Sequence, residues 1–369
     1  MIPGRPRRAA MAAAVVAGAL GAFAITGCAG PGRPRAIPPT SDPAPNALVA
    51  PPTTGAPTTT VPPATSPLTG LPQTDPSALH RPALVVKIDN IDAAIPQSGL
   101  AAADVVYEEM VEGGLTRLAA VYQSTDASLV GPVRSGRTTD IAIVSDLGRP
   151  VFAFSGANPP FLAEIRAADL VDVDAELDGP AKSYFRMGPH DAPDNLYSST
   201  QSLYSLAPTP AGADRAPGPL FTYRPGGSLA AVGAIPATHA ALAWPATSVS
   251  WDWNAGAGNW QRSQGGRPDL QSNGYQLQAP NIVIQFVTYT TDGVATGEGV
   301  APTPIPKGEL VGSGPAWVLS GDSLVKGSWS RPSLADVTSY TDTAGRPIAM
   351  APGRTWVELA PAGSTPLVS

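Results

Sequence analysis

Hydrophobic and polar residues between positions 66 and 205 are arranged in the manner of a mixed α and β domain. The run ALVVKID (83–89) is apolar and rich in β-branched residues, which predicts a buried strand. The stretch DVVYEEMVEGGLTRLAAVYQS (104–124) predicts two strands around a tight turn at Gly113 and Gly114, because glycine tolerates the positive φ angles of such a turn.

Helices are predicted at two places in the same region. From 135 to 147 the apolar positions recur at the spacing of one helical face. The segment RPVFAFSG predicts another strand, and Asn158 and Pro159 after it are a suitable N-cap and first residue for a helix through Ala168. Residues 66–205 are therefore expected to form an α/β, or α+β, N-terminal domain.

The pattern changes after residue 205, where helical periodicity is nearly absent. A linker rich in Pro, Ala and Gly is predicted at 206–219, and short strand-like segments follow, separated by turn signals. These segments are FTYR, SVSWDW, NIVIQFVTYT, AWVLSG, LVKGSWSR, RPIAM and TWVELAP. Residues 220–369 are expected to form a smaller, mainly antiparallel β domain.

The first residues predict export from the cytoplasm. Three arginines precede an apolar run at 9–25, which is the layout of a secretory signal peptide occupying residues 1–27. The sequence Ile-Thr-Gly-Cys that ends at Cys28 resembles the lipobox of bacterial lipoproteins. That resemblance implies cleavage before Cys28, acylation by chains such as palmitate, and anchoring to the outer face of the bacterial cell membrane. An ordinary secretory signal followed by an unrelated cysteine is the alternative.

A Pro- and Thr-rich stretch separates this anchor from the folded body. Residues 28–65 offer almost nothing to bury, so they are expected to form a disordered tether on an extracytoplasmic protein. The net charge of the chain is −6, which argues against general nucleic-acid binding. A single cysteine excludes a disulfide within the chain and a thiolate zinc site, and three histidines leave little for a metal cluster. No cofactor or metal is expected.

Polar and charged residues collect where the predicted elements of the first domain end. Arg117 lies after the hairpin turn, Asn90 ends the first strand, and Arg134, Ser135 and Arg137 lie at the predicted start of a helix. If Ser135 is the N-cap, the free amides of the first turn and the guanidinium groups together suit a carboxylate or a phosphate. These five residues are the predicted ligand site.

A structural role for the same charges is the alternative. The arginines would then pair with Glu108 and Glu112 inside the fold and hold a loop in place without contacting a ligand. Glu108, Glu112 and Asp89 are also the candidates for catalytic acids or bases. One sequence does not show which of these roles applies.

Two other features have a functional and a structural interpretation. The acidic stretch DVDAELD (172–178) suggests calcium, but it lacks the spacing of an EF-hand and is more typical of a solvated strand face. The residues Trp251, Trp253 and Trp260 suggest a sugar-stacking surface, although tryptophan at alternate strand positions is more often core.

A family resemblance rests on several specific stretches in a fixed order. They are RPALVVKIDN, PQSGLAAADVVYEEMVEGGLTRLAAVYQS, GPVRSGR, APDNLY, NIVIQF, GSWSR and PGRTWVEL. Together they resemble the YerB-type lipoproteins, the family of domain of unknown function 3048 with its N- and C-terminal domains, over nearly all of residues 66–362. The chain departs from the family pattern where Phe154 and Asp194 stand in place of expected histidines, which weakens a mechanism based on a histidine general base.

Two classes of function follow from these observations. The first is a cell-envelope lipoprotein that binds an anionic cell-wall or glycan component, or a protein partner. The second is a hydrolase or transferase that acts on an envelope polymer through carboxylates. The missing histidines and the lack of a recognisable nucleophile motif favour binding, and whether the protein is an enzyme stays open.

Overall fold

The computed structural model describes residues 64–179, 182–188, 190–207, 216–297 and 300–369. The predicted signal peptide, the lipidation site Cys28 and nearly all of the tether lie outside these ranges and stay predictions. Helices within them are α1 (Thr138–Val144), α2 (Pro159–Ala167) and α3 (Thr200–Leu206). Single 3-10 turns lie at Pro76–His80, Asp92–Ala94, Leu100–Ala102, Glu112–Gly114 and Ala175–Leu177.

Strands make up most of the regular structure. The first half of the chain contributes β1 (Leu84–Asp89), β2 (Val105–Met110), β3 (Thr116–Tyr122), β4 (Val151–Ala153), β5 (Val171–Asp172), β6 (Phe185–Arg186) and β7 (Leu196–Tyr197). The second half contributes β8 (Ile235–Pro236), β9 (His239–Ala243), β10 (Ser248–Asn254), β11 (Asn259–Gln264), β12 (Arg267–Pro268), β13 (Gln278–Ala279), β14 (Asn281–Val287), β15 (Tyr289–Gly297), β16 (Val300–Gly308), β17 (Gly312–Ser320), β18 (Ser323–Arg331), β19 (Ser339–Thr341), β20 (Thr355–Pro361) and β21 (Leu367–Val368).

One large mixed sheet carries strands from both halves. Its order is β19-β18-β17-β14-β20-β2-β3-β1-β4-β5, and β8 pairs with β18. The junction between the halves is the parallel pair of β2 with β20, in which Glu108 lies opposite Glu358. Residues Thr60–Ser369 form one compact unit around this sheet. The predicted α/β character of the first half and the mainly antiparallel β character of the second are confirmed, whereas the boundaries drawn at 205 and 220 stay a prediction.

A second sheet, with the order β12-β11-β10-β9-β21, packs against one face of the large sheet. Trp251 and Trp260 lie in the core between them, at 1% and 0% exposure, and Trp251 packs edge-on against Trp356 with ring centroids 5.3 Å apart. Trp253 is half-buried and tilts against Trp260. The sugar-stacking interpretation of these residues is wrong, because their rings are used in packing the two sheets.

In the first half the predicted strands are present, and the predicted start of the helix α1 needs a correction. The run 83–89 forms β1, and 104–124 forms β2 and β3 around glycines with φ of 71° and 73°. The helix begins at Thr138 and not at Ser135: Arg137 is the N-cap residue, and Asp140 Oδ2 accepts from its backbone N–H at 2.7 Å. Ser135 lies before the helix, so its predicted role as the N-cap is wrong.

The second half also contains exceptions. The pattern predicts strands at FTYR and RPIAM, but the structure has isolated bridges there, between Tyr223 and Met350 and between Thr341 and Pro347. In the acidic stretch, Asp174 is buried and caps the turn Ala175–Leu177, so this stretch is in part structural. Among the described residues, no helix combines the length and the apolar character needed to span a membrane.

Candidate functional site

Several charged side chains lie at one end of the large sheet, on the face that α1 covers. Alternation along β1 directs Lys87 and Asp89 to this face, on the side opposite to Val86 and Ile88. Arg117 of β3 lies directly between Asp89 of β1 and Glu109 of β2 in the strand register. Three neighbouring strands thus place four ionisable groups on one surface.

The loop that precedes α1 crosses this end of the sheet. Val133 forms a bridge to Ile88, and the Arg134 backbone N–H donates to the carbonyl of Lys87 at 2.9 Å. The loop backbone is thereby paired with the end of β1. Its following residues, Arg134 to Arg137, lie over the charged groups of the sheet.

Asp89 lies between two of the arginines. Arg134 Nε donates to Asp89 Oδ2 at 2.6 Å, and Arg117 Nε lies 4.0 Å from Asp89 Oδ1. Burial by itself raises the pKa of Asp89, but the charges of Arg117 and Arg134 outweigh it and hold the pKa below its usual value. Asp194 Oδ1 lies 3.4 Å from Arg134 Nε, and burial together with the neighbouring Asp89 raises the pKa of Asp194.

Arg117 is 9% exposed, and the hydrogen bonds of its guanidinium group are made by Nη1 and not by Nε. Its Nη1 donates to the carbonyl and the hydroxyl of Ser135, at 3.2 and 3.1 Å. Its Nε is buried and has no hydrogen-bond partner among the described residues. Burial, followed by the charge of Arg137, lowers the pKa of Arg117 to about 10. This guanidinium is therefore incompletely neutralised.

Arg137 differs because its donors are used within the fold. Nε and Nη2 both donate to Glu112 Oε2, at 3.1 and 2.8 Å, and Nη1 donates to the carbonyl of Gly136 at 2.8 Å. Burial tends to raise the pKa of Glu112, but the hydrogen bonds and charge of Arg137 lower it overall. The structural alternative considered for the arginines thus describes Arg137, whereas Arg117 and Arg134 retain donors that no carboxylate within the described ranges uses.

Two predicted residues have other roles in the geometry. Ser135 Oγ accepts from both Arg117 and Arg137 at 3.1 Å, which spaces the two guanidinium groups. Asn90 is buried and donates to Glu108 Oε1 at 3.0 Å and to Thr116 Oγ1 at 2.8 Å. Asn90 therefore belongs to the opposite face of the sheet and is not grouped with the arginines.

That opposite face holds a second group of buried charges. Glu108 and Arg262 are both completely buried, with Nη2 and Oε2 2.6 Å apart, and Arg262 also contacts Asp269. Trp251 Nε1 donates to Glu358 Oε1 at 2.8 Å, and burial next to Glu108 raises the pKa of Glu358 well above its usual value. Glu108 is enclosed between the sheets, so it is placed to join them and not to meet a substrate.

A third group lies beneath the arginines. Lys87, Glu109 and Asp140 are each completely buried. Lys87 Nζ donates to Asp140 Oδ1 at 2.7 Å and also contacts Glu109. Burial and the nearby charge of Asp140 raise the pKa of Glu109 to about 7. These residues are not among the candidates predicted from the sequence, although a lysine inside the apolar run 83–89 is the kind of signal that indicates a buried ion pair.

A cavity adjoins the arginines. It has a volume of about 450 Å³, and its lining includes Ser155 and charged residues of both signs: Lys182, Arg186, Glu176 and Asp178. The Ser155 backbone N–H donates to the carbonyl of Arg134 at 2.9 Å, which places this wall beside the arginine loop. No group of three or more His, Cys, Asp or Glu side chains within the described ranges is arranged to hold a metal ion.

Comparison with known proteins identifies the family. Residues 68–212 match the model described as "Protein of unknown function (DUF3048) N-terminal domain", and residues 240–357 match the corresponding C-terminal domain. The two matches together cover more than half of the chain. The protein belongs to the DUF3048 family.

Two relatives extend this result. A protein of Bacillus subtilis (strain 168) named "Putative lipoprotein YerB" is 33% identical over 144 residues, which are 38% of this chain and 42% of the relative. The matched region is therefore less than half of that relative. The crystal structure of the YerB protein from Bacillus subtilis has a TM-score of 0.67 at 22% identity and covers 83% of this chain and 99% of its own. That similarity shows that the fold is shared.

Proposed function

We propose that this protein is a membrane-anchored, extracytoplasmic binding protein in which Arg117 and Arg134 hold an anionic group of a cell-wall polymer, a glycan or a protein partner. The anchor is the acylated Cys28, supported by the lipobox-like sequence and by a relative that is named as a lipoprotein. Residues 28–65 then act as the tether between the anchor and the folded unit.

The observation that carries the proposal is the incomplete neutralisation of two neighbouring guanidinium groups. Arg117 is nine-tenths buried with an unpartnered Nε, and Arg134 engages carboxylates through Nε while its side chain stays 26% exposed. Unpaired buried donors are unfavourable, so an incoming acceptor that satisfies them binds strongly. Planar guanidinium groups suit the two oxygens of a carboxylate or a phosphate.

The charge balance of the site favours an anion as well. Asp89 is shared by Arg117 and Arg134, and Glu112 is used by Arg137. Burial and the neighbouring Asp89 raise the pKa of Asp194, so the ionised form of this third carboxylate is less favourable than that of a free aspartate. The adjoining cavity is lined by Lys182 and Arg186 as well as by Glu176 and Asp178, and it gives room for a ligand larger than one anionic group, such as part of a polymer or a segment of a protein.

Titration calorimetry on the full chain in detergent micelles tests the proposal. The probes are inorganic phosphate, glucuronate and soluble muropeptides, with the variants Arg117→Gln and Arg134→Gln. Arg149→Gln is the matched control, because Arg149 forms an exposed pair with Asp169 at 3.0 Å. Loss of one charged hydrogen bond weakens binding by about tenfold or more, so both site variants are expected to show that loss and the control none. Equal affinities in folded wild-type and site variants, or no binding of any probe, overturn the proposal.

A second candidate function rests on the pair Asp89 and Asp194. Their pKa values are displaced in opposite directions while both lie beside Arg134, which is the arrangement of a proton donor next to a carboxylate. A hydrolase or transferase acting on an envelope polymer would use them as acid and base, since Glu108 is enclosed and Glu112 is held by Arg137. Incubation with purified peptidoglycan and mass spectrometry of the soluble products tests this: Asp194→Asn must abolish any product that the wild type releases.

A further inference from the structure

Lys87, Glu109 and Asp140 form a closed triad that neither the anion site nor the contact between the sheets requires. Each residue has 0% exposure, and the three come from β1, β2 and α1. Ala119 lies directly opposite Lys87 in β3, and its small side chain leaves Lys87 room to reach Glu109 on the next strand. The triad is thereby assembled across three strands and a helix with no access for bulk water.

This arrangement places an amine directly against a carboxyl group. Nζ of Lys87 lies 2.7 Å from Oδ1 of Asp140 and also contacts the carboxyl group of Glu109. A buried ion pair carries a large desolvation penalty, and a third ionised carboxylate would add to it. The raised pKa of Glu109 means that it readily holds a proton, which makes the triad neutral as a whole.

We propose that Lys87 and Asp140 condense within the folded protein to form an isopeptide bond between the side-chain nitrogen Nζ and the side-chain carbon Cγ. A proton moves from the ammonium of Lys87 through Glu109 to Oδ1 of Asp140. The neutral amine then attacks Cγ, the bond from Cγ to Oδ1 breaks, and one water molecule leaves with two of the protons that the ammonium carried. No oxidant, reductant or further reactant is needed, because the reaction converts an ammonium and a carboxylate into an amide and water.

The remaining contacts of Asp140 suit this reaction. Its Oδ2 accepts the backbone N–H of Arg137 at 2.7 Å, so a hydrogen-bond donor is already in place for the negative charge that develops on this oxygen in the tetrahedral intermediate. Glu109 contacts the nucleophile and acts as the proton shuttle. A folded protein holds these groups at a very high effective concentration, which favours condensation that does not occur between free molecules.

The product removes the charges that make the triad unfavourable. An amide and a protonated Glu109 remain, and the amide oxygen still accepts from Arg137. The bond joins residues that are 53 positions apart and fastens the first turn of α1 to β1. It therefore also fixes the loop that carries Arg134 and Arg137, although its formation does not depend on any ligand at those arginines.

Peptide mapping of the purified full chain tests the inference. The protein is denatured, digested with trypsin and examined by mass spectrometry. The expected result is that trypsin fails to cleave after Lys87 and that the peptide 138–166, which ends at Arg166 because Pro150 protects the bond after Arg149, is joined to the peptide containing Lys87, with a mass one water below the sum of the two. Separate, unmodified peptides from freshly purified protein and from protein incubated for days at neutral pH overturn the inference.

Three variants make the test specific. Lys87→Arg preserves the positive charge but removes the amine, and is expected to give separate peptides. Asp140→Asn is expected to give the same linked product with loss of ammonia in place of water, judged against the mass of the unlinked Asn peptide. Glu109→Gln removes the proton shuttle and is expected to leave the peptides separate; a fully linked Glu109→Gln variant would disprove the role assigned to Glu109. The peptide map of the wild-type protein decides by itself whether the bond is present, so a variant that fails to fold does not prevent a conclusion.

Discussion

Arg134 Nε and Asp89 Oδ2 lie 2.6 Å apart, and the two side chains differ sharply in exposure, at 26% for the arginine and 1% for the aspartate. The carboxylate is buried at the end of β1 and holds the guanidinium by its Nε, so the outer nitrogens of Arg134 remain directed away from this bond. A buried carboxylate thus orients an exposed cation. This relationship distinguishes Arg134 from Arg137, whose donors are used by Glu112 and by backbone carbonyls.

Substitution of Arg134 by glutamine is expected to raise the pKa of Asp89. The carboxyl group is buried, and the charges of Arg117 and Arg134 are what hold its pKa below the usual value. A carboxyl group whose pKa is lower in the folded state than in the unfolded state stabilises the fold at pH values above the unfolded-state pKa. This stabilisation is lost as the pH falls through the folded-state pKa, and Arg134→Gln removes part of it at neutral pH. NMR titration of the aspartate carboxyl carbons measures the change. An unchanged Asp89 titration in the variant would contradict the assigned contact.

Substitution of Arg137 by alanine is expected to destabilise the fold and to leave anion binding by Arg117 and Arg134 in place. The variant loses both hydrogen bonds to Glu112 and the bond to Gly136, and a charged hydrogen bond in a partly buried site contributes about 1.5–3 kcal/mol. Urea unfolding is the measurement. Arg149→Ala, which removes an exposed pair, serves as the comparison and is expected to change the free energy of unfolding by less than about 1 kcal/mol.

The contact between the two sheets depends on Arg262. Its Nη2 lies 2.6 Å from Glu108 Oε2, and its guanidinium group lies 4.8 Å from the ring centroid of Trp356. Arg262→Ala leaves Glu108 and Asp269 buried without their counter-charge, which is expected to lower the free energy of unfolding by about 3–5 kcal/mol. The surface variant Arg149→Ala removes an exposed pair with Asp169 and is expected to have a much smaller effect. Similar urea midpoints for the two variants would refute this role of Arg262.

The parts of the fold that depend on local pattern were predictable from the sequence. The run 83–89 and the hairpin around Gly113 follow from apolar periodicity and from the conformational freedom of glycine, and both are present. The pairing of β2 with β20 was not predictable in the same way, because it joins segments far apart in the chain and no local signal specifies the partner strand. The boundaries predicted at 205 and 220 rest on local composition, which does not show that strands from the two halves pair in one sheet.

The charged residues illustrate the same limit. Arg262 lies in NWQRSQ, which has the appearance of an exposed polar strand, yet its side chain is completely buried because Glu108 and Asp269 provide counter-charges. Clustering of Arg117 and Arg134 was inferred correctly from the ends of the predicted elements. Which arginine keeps unused donors depends on distances between loops and strands, and a one-dimensional pattern does not contain them.

The turn between β2 and β3 allows a comparison of two neighbouring glycines. Both have positive φ, at 71° for Gly113 and 73° for Gly114, so alanine at either position is strained by about 1–2 kcal/mol. A Cβ on Gly113 meets nothing within 4 Å, whereas a Cβ on Gly114 would lie 2.5 Å from Cβ of Pro245. Gly114→Ala is therefore expected to have the lower thermal midpoint of the two variants.

A rescue experiment separates the contact from the backbone strain in this turn. Adding Pro245→Gly to Gly114→Ala removes the atom that clashes. The double variant is therefore expected to be more stable than the sum of the two single-variant effects predicts. Equal midpoints for Gly113→Ala and Gly114→Ala, or strict additivity in the double variant, would show that Pro245 does not press against the turn.

Asp146 is expected to make the stability of the protein fall as the pH rises through the mildly acidic range. It lies near Arg331, with Oδ2 and Nη2 3.6 Å apart, and burial outweighs this charge and raises the pKa of Asp146 to about 6. The unfolded chain binds this proton less tightly, since the ordinary pKa of aspartate is about 3.9. Between these two values the folded state holds more protons than the unfolded state, so the free energy of unfolding decreases with pH.

Urea unfolding of wild type and Asp146→Asn at several pH values between about 4 and 7 measures this contribution. The stability advantage of the wild type over the variant is expected to shrink as the pH rises and to reach a new plateau above the pKa of Asp146, where the carboxylate is ionised in both states. Asp169→Asn, at a side chain that is 86% exposed, is the matched control and is expected to leave the slope unchanged. A constant difference between wild type and Asp146→Asn across this range would mean that burial does not hold the proton on Asp146.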